Sequence, residues 1–467
     1  MGMKRIILPL YASLILTLLT SLKVVSQPLS YPSKQENDTI TSNKGHFQGN
    51  IRAYFAATDN QKQLSDYSAL GMAASVEYES PLLFKYFKAG IRGTFMGNLA
   101  SSNLAIPDPS TGQANRYEVG LFDVTNPGQR NDLNRLEKLY LTIVWPKNSE
   151  LTIGRQLPKT PFINPQDGRL SPTFVESVAW DIRPLPKLKI HSEYIWKIAP
   201  RSTLQWYTVG QSIGIYPLGV NPEGVASQYR GNLSSGGVGI VGIVYQPGQF
   251  NFELWDTYVD NISNTNYLKA EWKSKAVARK NWFAGLQVIQ QNTVGNGGNA
   301  DLTETYAQPG GQSMVFSGRV GRQSPTLDIF LNATRITAQG RYLMPREWGR
   351  DPFYTFMPRE RNEGFGDVTA VSVNTIFKSK KRLKVELSAG YFKLPDTKNF
   401  ALNKYGIPAY AQLNADLTYR FGRYLKGLEA HFLYVRKERV GNTYGNDRYV
   451  INKVNMNHVN LILNYTF

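Results

Sequence analysis

From His46 to the end of the chain, apolar and polar residues alternate in segments of about ten residues, separated by polar stretches rich in Gly and Asn. A period of two belongs to strands, whose successive side chains leave opposite faces. In the first segment Phe47, Gly49, Ile51, Ala53 and Phe55 share one face, and Gln48, Asn50, Arg52 and Tyr54 the other. Ile91 and Phe95 oppose Lys88, Arg92 and Thr94, and Leu413 and Leu417 oppose Gln412, Asn414, Asp416 and Arg420. Leu268, Trp282, Leu286, Val385 and Leu387 belong to similar apolar rows.

A soluble β-sandwich also alternates, so the pattern needs further constraints. The polar faces carry Lys, Arg, Glu and Asn together, as a wet interior would. Aromatic residues bracket the apolar rows (Phe47 and Phe55, Phe87 and Phe95, Tyr194 and Trp196), as at the two interfaces of a membrane barrel. Val459, Leu461, Leu463, Tyr465 and Phe467 form a last apolar row that ends on an aromatic. This row resembles the C-terminal signature of bacterial outer-membrane barrels, which implies that Phe467 is an assembly signal for the barrel-assembly machinery. The expected fold is all-β: a closed transmembrane antiparallel barrel of about 16–18 strands, 18 favoured. Closure is required because unpaired backbone groups cannot face lipid. Barrels of that size leave an aqueous channel.

The N-terminus adds an address. Lys4 and Arg5 precede an apolar run, Ile6 to Leu22, and Val24-Val25-Ser26 resembles a cleavage site. Residues 1–26 are therefore expected to be a signal peptide, 27–45 a flexible periplasmic tail, and 46–467 the outer-membrane barrel of a Gram-negative bacterium. A tail this short leaves no room for a plug, which argues against an energised transporter. The mean hydropathy, −0.34, fits a chain with no long apolar helix. The formal charge is +18, or +15 once Lys4, Arg5 and Lys23 are removed. Such an excess suits anionic solutes, or outer loops set against lipopolysaccharide. With no Cys, and with His46, His191, His431 and His458 scattered, neither a metal nor any other cofactor is expected.

One stretch carries more specific information. Residues 151–177 read LTIGRQLPKTPFINPQDGRLSPTFVES. Its Gly154, Gln156 and Pro158, followed by Asp167, Arg169, Leu170, Pro172 and Phe174, resemble the OprD-type outer-membrane porins. Residues 65–82 and 419–438 are similar to that family more weakly. The resemblance implies an eighteen-stranded barrel, a third outer loop folded into the lumen, and basic wall residues that guide carboxylate-bearing solutes. By motif, only the loop Phe162 to Phe174 carries over, so Asn164, Asp167 and Arg169 are the candidate constriction residues. Pro165 and Pro172 would stiffen it by fixing φ. Arg52, Arg92, Arg319 and Arg420 are assigned to the pore lining from strand facing alone. The charged, aromatic stretch REWGRDPFYTFMPRERNEGFG, 346–366, fits no part of the family pattern.

The expected function is passive, diffusive passage of small hydrophilic solutes, anionic or carboxylate-bearing, through a monomer or homotrimer embedded in outer-membrane lipid and lipopolysaccharide. No enzymatic activity and no nucleic-acid partner is expected. An outer-membrane barrel enzyme of lipase or protease type, or a surface adhesin, are the alternatives. Gly210-Gln211-Ser212-Ile213-Gly214 matches the nucleophile-elbow pattern, but that motif requires a strand–turn–helix setting and a His partner that the surrounding sequence does not supply.

Overall fold

The computed structural model describes residues 44–145, 149–166, 169–379 and 382–467; the expected signal peptide, almost all of the expected tail, and Asp167 lie outside them. The strands run in chain order: β1 (His46–Asp59), β2 (Tyr67–Glu79), β3 (Phe87–Ser101), β4 (Leu133–Trp145), β5 (Ser149–Gln156), β6 (Phe174–Leu185), β7 (Leu188–Ala199), β8 (Tyr207–Thr208), β9 (Val238–Tyr245), β10 (Phe250–Val259), β11 (Ser263–Lys273), β12 (Asn281–Thr293), β13 (Gln312–Gln323), β14 (Leu327–Ile336), β15 (Val368–Ser379), β16 (Leu383–Lys393), β17 (Tyr410–Arg420), β18 (Leu428–Arg439) and β19 (Met456–Thr466). Two-residue β8 is an appendage on β7. The other eighteen pair antiparallel with their neighbours, β7 with β9 directly. β1 closes on β19, from Asn50 opposite Thr466 to Asp59 opposite Asn457. The expected eighteen-stranded antiparallel barrel is therefore the fold found.

The seam ends on a tight contact. Gly49 and Phe467 exchange backbone hydrogen bonds of 2.9 and 3.1 Å. A Cβ on Gly49 would overlap the Phe467 ring, so the position needs a glycine for close approach rather than for a turn.

Alternation sorts the side chains as the pleat dictates. Large apolar groups stand exposed on the outer wall, among them Phe95, Leu139, Leu286, Leu331 and Leu413. A bilayer would cover that band. Exposed Trp145, Trp272, Trp282 and Tyr245 rim it at one end. That end carries both termini of the barrel, and its connections have two to seven residues. The opposite end carries long loops, including 102–132, 157–173, 200–237, 294–311 and 337–367.

Those long loops turn inward and fill the mouth. Phe162 and Ile163, Val209 and Ile213, Tyr342, Trp348, Phe353, Met357 and Phe365 are buried there against inward wall residues such as Ile289, Val315, Val368 and Tyr410. Burial of apolar loop groups at roughly 25 cal/mol per Å² holds the loops in place. One polar fastening stands inside this core. The Lys404 ammonium, 1% exposed, lies 3.4 Å from Glu363 and within 4.6 to 5.4 Å of the rings of Tyr229, Tyr306 and Tyr405. Burial would raise Glu363, but Lys404 and Arg346 beside it hold it below the usual carboxylate range. The loops 200–237, 294–311, 337–367 and 394–409 are thereby clasped together.

Candidate functional site: an arginine-rich chamber, a neck and a vestibule

Loop 337–367 crosses the lumen, and its attachments trace the crossing. Pro352 O accepts from Gln287 Nε2 of β12 at 2.9 Å. Tyr354 N donates to Ser317 Oγ of β13 at 3.1 Å, and its hydroxyl donates to Glu271 of β11 at 3.0 Å. Thr355 meets Thr334 of β14 at 2.8 Å. Pro358 O then accepts from Gln412 and Asn414 of β17, at 2.7 and 3.2 Å. Arg359 O accepts from Lys437 of β18, and the Arg359 guanidinium donates to Tyr54 of β1. Two prolines, 352 and 358, fix φ at both ends of the crossing and leave carbonyls to be satisfied by the wall. The segment 352–359 is thus tied to seven strands.

The loop carrying the motif lies against it. Asn164 N donates to Trp348 O at 3.1 Å, and Asn164 Nδ2 to Arg350 O at 3.0 Å. Asn164 Oδ1 accepts from Arg350 N at 3.2 Å. A single buried asparagine amide therefore pins the backbone of Arg350 in both directions. Arg169, with φ +46°, donates to Tyr117 O at 3.3 Å and receives at its own carbonyl a 2.5 Å bond from Arg52. Loop 157–173 folds inward as the resemblance implies, and it supports the crossing segment.

Two cavities flank that segment. On the loop side a chamber of about 420 Å³ is lined, among the described residues, by Arg116, Arg169, Arg201, Arg230, Arg346, Arg350, Arg359 and Arg361 against Asp351, Glu360 and Glu363. On the turn side a vestibule of about 870 Å³ is lined by Lys159, Lys269, Arg319, Arg350 and Lys384 against Glu253, Glu271, Asp351, Glu386 and Asp416. Arg350, Asp351 and Phe356 line both. They mark the neck, where the Arg350 guanidinium stacks 4.3 Å above the Phe356 ring. Burial, and then the nearby Glu363 carboxylate, push Asp351 up to about 7.

The cations of the two compartments have different partners. In the chamber Arg346 pairs with Glu363 at 3.4 Å, whereas Arg116 donates to Asn452 O at 3.2 Å and Arg230 donates to the carbonyls of Gly214 and Ile215. A carbonyl satisfies a guanidinium N–H without cancelling its charge. In the wall, Arg92 bonds Glu137 at 2.8 Å and Glu77 at 3.2 Å. Arg319 bonds Glu271 at 2.6 Å, and Lys269 reaches Glu253 at 2.6 Å and Glu271 at 3.3 Å. Arg420, at the turn-side end of β17, bonds Glu429 at 2.8 Å.

Sequence facing assigned Arg52, Arg92, Arg319 and Arg420 to the pore lining; of these four, Arg319 is among the residues that line the vestibule. The structure brings Arg52 together with Arg169; Arg92, Arg319 and Arg420 lie apart, each beside a carboxylate. The chamber's Arg116, Arg201 and Arg230 come from loops that no periodicity marks. The signal available for the crossing segment was its density of Arg, Pro and aromatic residues inside one gap between strands. Ser212 is a packing group. It is fully buried in a helical turn, donates to Val209 O at 2.7 Å and accepts from the Trp348 indole at 2.8 Å.

Neither a family model nor a curated protein sequence matches the chain. Solved structures do share the fold. OpdK of Pseudomonas aeruginosa, in its structure with vanillate, gives a TM-score of 0.69 at 15% identity, over 91% of this chain and 98% of that one. OccAB4 of Acinetobacter baumannii gives 0.69 at 14% identity, over 92% and 100%. OccAB3 of the same organism gives 0.68 at 16% identity, over 91% and 99%. These neighbours have the OprD-type barrel that the motif at 151–177 implied.

Proposed function

We propose that this chain is an outer-membrane porin for passive diffusion of small hydrophilic solutes, with a preference for anionic, carboxylate-bearing ones. In this reading the long loops face the outside and the short turns the periplasm, the usual disposition of such barrels. A solute enters the arginine-rich chamber, passes the neck at Arg350, Asp351 and Phe356, and leaves through the vestibule. The observation that carries the anion preference is the chamber lining: arginines outnumber carboxylates, and Arg116 and Arg230 are held by carbonyl oxygens. A carboxylate arriving there trades water for bidentate N–H donors. Rings of Arg favour anions for the same reason. The vestibule, with matched charges, would then release the solute rather than hold it, and release is as necessary to conduction as entry. No energy source or cofactor enters this scheme. The fold neighbour OpdK, solved with the aromatic carboxylate vanillate, lends the solute class support by analogy.

Planar-bilayer recording with the full chain tests this. The expected result is single-channel conductance with a reversal potential, across a salt gradient, on the anion side, and partial block by benzoate. A cation-side reversal potential would sink the anion preference; absence of channels would sink the porin reading itself.

A further inference from the structure

The turn end of the barrel has its own chemistry. The connections there contain no Asp or Glu at all. The three seven-residue connections contain Lys85 in 80–86, Lys275, Arg279 and Lys280 in 274–280, and Arg423 and Lys426 in 421–427, all exposed, and the shorter ones add Lys147, Lys187, Lys380, Lys381 and Arg382 to the sequence at this end. The long loops mix both signs, and several of their arginines line the chamber. The positive excess presented to the surroundings is therefore concentrated at one end.

Backbone geometry makes these cations harder to dismiss as ordinary turn residues. Ala278 and Arg279, the two central residues of the tight turn Val277–Lys280, have φ of +49° and +62°. Tight turns with both central residues left-handed favour Asn-Gly. Phe84 and Lys85 have φ of +50° and +68°, and Arg423 has +54°. Each of these three turns thus holds a cation where glycine would relieve backbone strain. Each also exposes an apolar neighbour: Phe84 is 86% exposed, Val277 77% and Tyr424 100%. Next to them lies the aromatic rim of the outer wall, Trp272 and Trp282 flanking 274–280. An apolar or aromatic group beside a cation, at the edge of an apolar band, suits the level of lipid headgroups: the ring or aliphatic group lies at the acyl boundary and the charge meets phosphate.

We infer that the turn-side rim of this barrel is a docking surface for anionic phospholipid headgroups of the adjoining leaflet, held by Lys85, Lys275, Arg279, Lys280, Arg423 and Lys426. The inference rests on the reading of the barrel as membrane-spanning. It is separate from solute passage, since none of these residues lines the chamber, neck or vestibule. A basic residue close to an anionic surface contributes about 1 kcal/mol, and the attraction decays within a Debye length.

Reconstitution of the full chain with spin-labelled phosphatidylglycerol and phosphatidylcholine measures the relative association of the first lipid shell. The parent is expected to prefer phosphatidylglycerol on the order of fivefold in 0.1 M salt, the effect of one such cation. Preference should fall to near parity in 1 M salt, and should be at least halved in the variant with all six cations changed to Gln. A control with Lys62→Gln, Arg130→Gln and Lys398→Gln, at the loop end, should keep it. No preference in the parent, an undiminished preference in the six-fold variant, or an equal loss in the loop-end control would overturn the inference. A parent that shows no motionally restricted lipid of either kind would instead remove the membrane reading on which it stands.

Discussion

The chamber and the vestibule sit a few side chains apart inside one barrel and balance positive charge differently: among the described residues the chamber lining has eight arginines against three carboxylates, the vestibule five cations against five carboxylates. The strand-borne cations meet carboxylates on neighbouring strands: Arg319 of β13 reaches over Gly285 of β12 to Glu271 of β11 in the vestibule, and elsewhere on the wall Arg92 of β3 finds Glu77 of β2 and Glu137 of β4. Chamber cations belong to loops that carry both signs: Arg346 pairs with Glu363, whereas Arg116 and Arg230 bond backbone carbonyls, which leave their charge in place. Hydrogen-bond satisfaction and charge compensation are separate conditions. A pore can fix its arginines rigidly and still present their field. A unit charge 4 Å from a passing carboxylate is worth about 1 kcal/mol in water and about 4 kcal/mol at an effective dielectric of 20. Selectivity should therefore be set at the chamber rather than the wall.

The largest effect should come from removing the partition itself. Replacing residues 351–357 with a short Gly-Ser bridge should raise single-channel conductance severalfold, because that segment carries Asp351 and Phe356 of the neck between the two cavities. Unaltered conductance would mean the narrowest point lies elsewhere, with 163–171 the next segment to delete.

Charge removal should come second and should separate the compartments. Arg116→Gln with Arg230→Gln should move the reversal potential toward zero, by about 1 kcal/mol or more of lost anion preference. Removing Arg319 together with its partner, as Arg319→Gln with Glu271→Gln, should leave it in place. If the wall pair matters as much as the chamber pair, the contrast drawn between them is wrong.

A smaller effect should follow pH. With Asp351 held near 7, its negative charge is present above that value and is lost as pH falls through it. Anion preference should therefore rise between pH 8 and pH 6, and Asp351→Asn should flatten that step. A step that survives the substitution would point to another group.

The smallest effect should be mechanical. Asn164→Ala removes the amide that pins the Arg350 backbone and leaves buried polar groups unpaired, at a local cost of roughly 1–3 kcal/mol. Amides of residues 348–351 should exchange faster with solvent, and open-channel noise should grow while mean conductance stays close to that of the parent. Unchanged exchange would show that the wall attachments of 352–359 are sufficient alone.

Alternation by itself determined the wall: strand after strand, which residue faces out and which in, and it is the sole ground on which Arg52, Arg92, Arg319 and Arg420 were assigned to the lumen side. Each strand's facing is a local property, set by a period of two along ten residues. The inward bend of loop 157–173 was legible only through the family resemblance that its Pro, Asp, Arg and Leu residues carry, and through nothing in its hydropathy. Only the tertiary structure decided what those charges do. Arg92 is opposed by Glu77 and Glu137 only because β2, β3 and β4 pair in one register, and a one-residue slip would send those carboxylates to the other face. The stretch from Arg346 to Gly366 becomes a partition only because Gln287, Ser317, Gln412 and Lys437, remote in sequence, stand around one closed lumen to receive it. Facing follows from covalent geometry within one segment; compensation and path depend on which distant segments closure brings within hydrogen-bond reach.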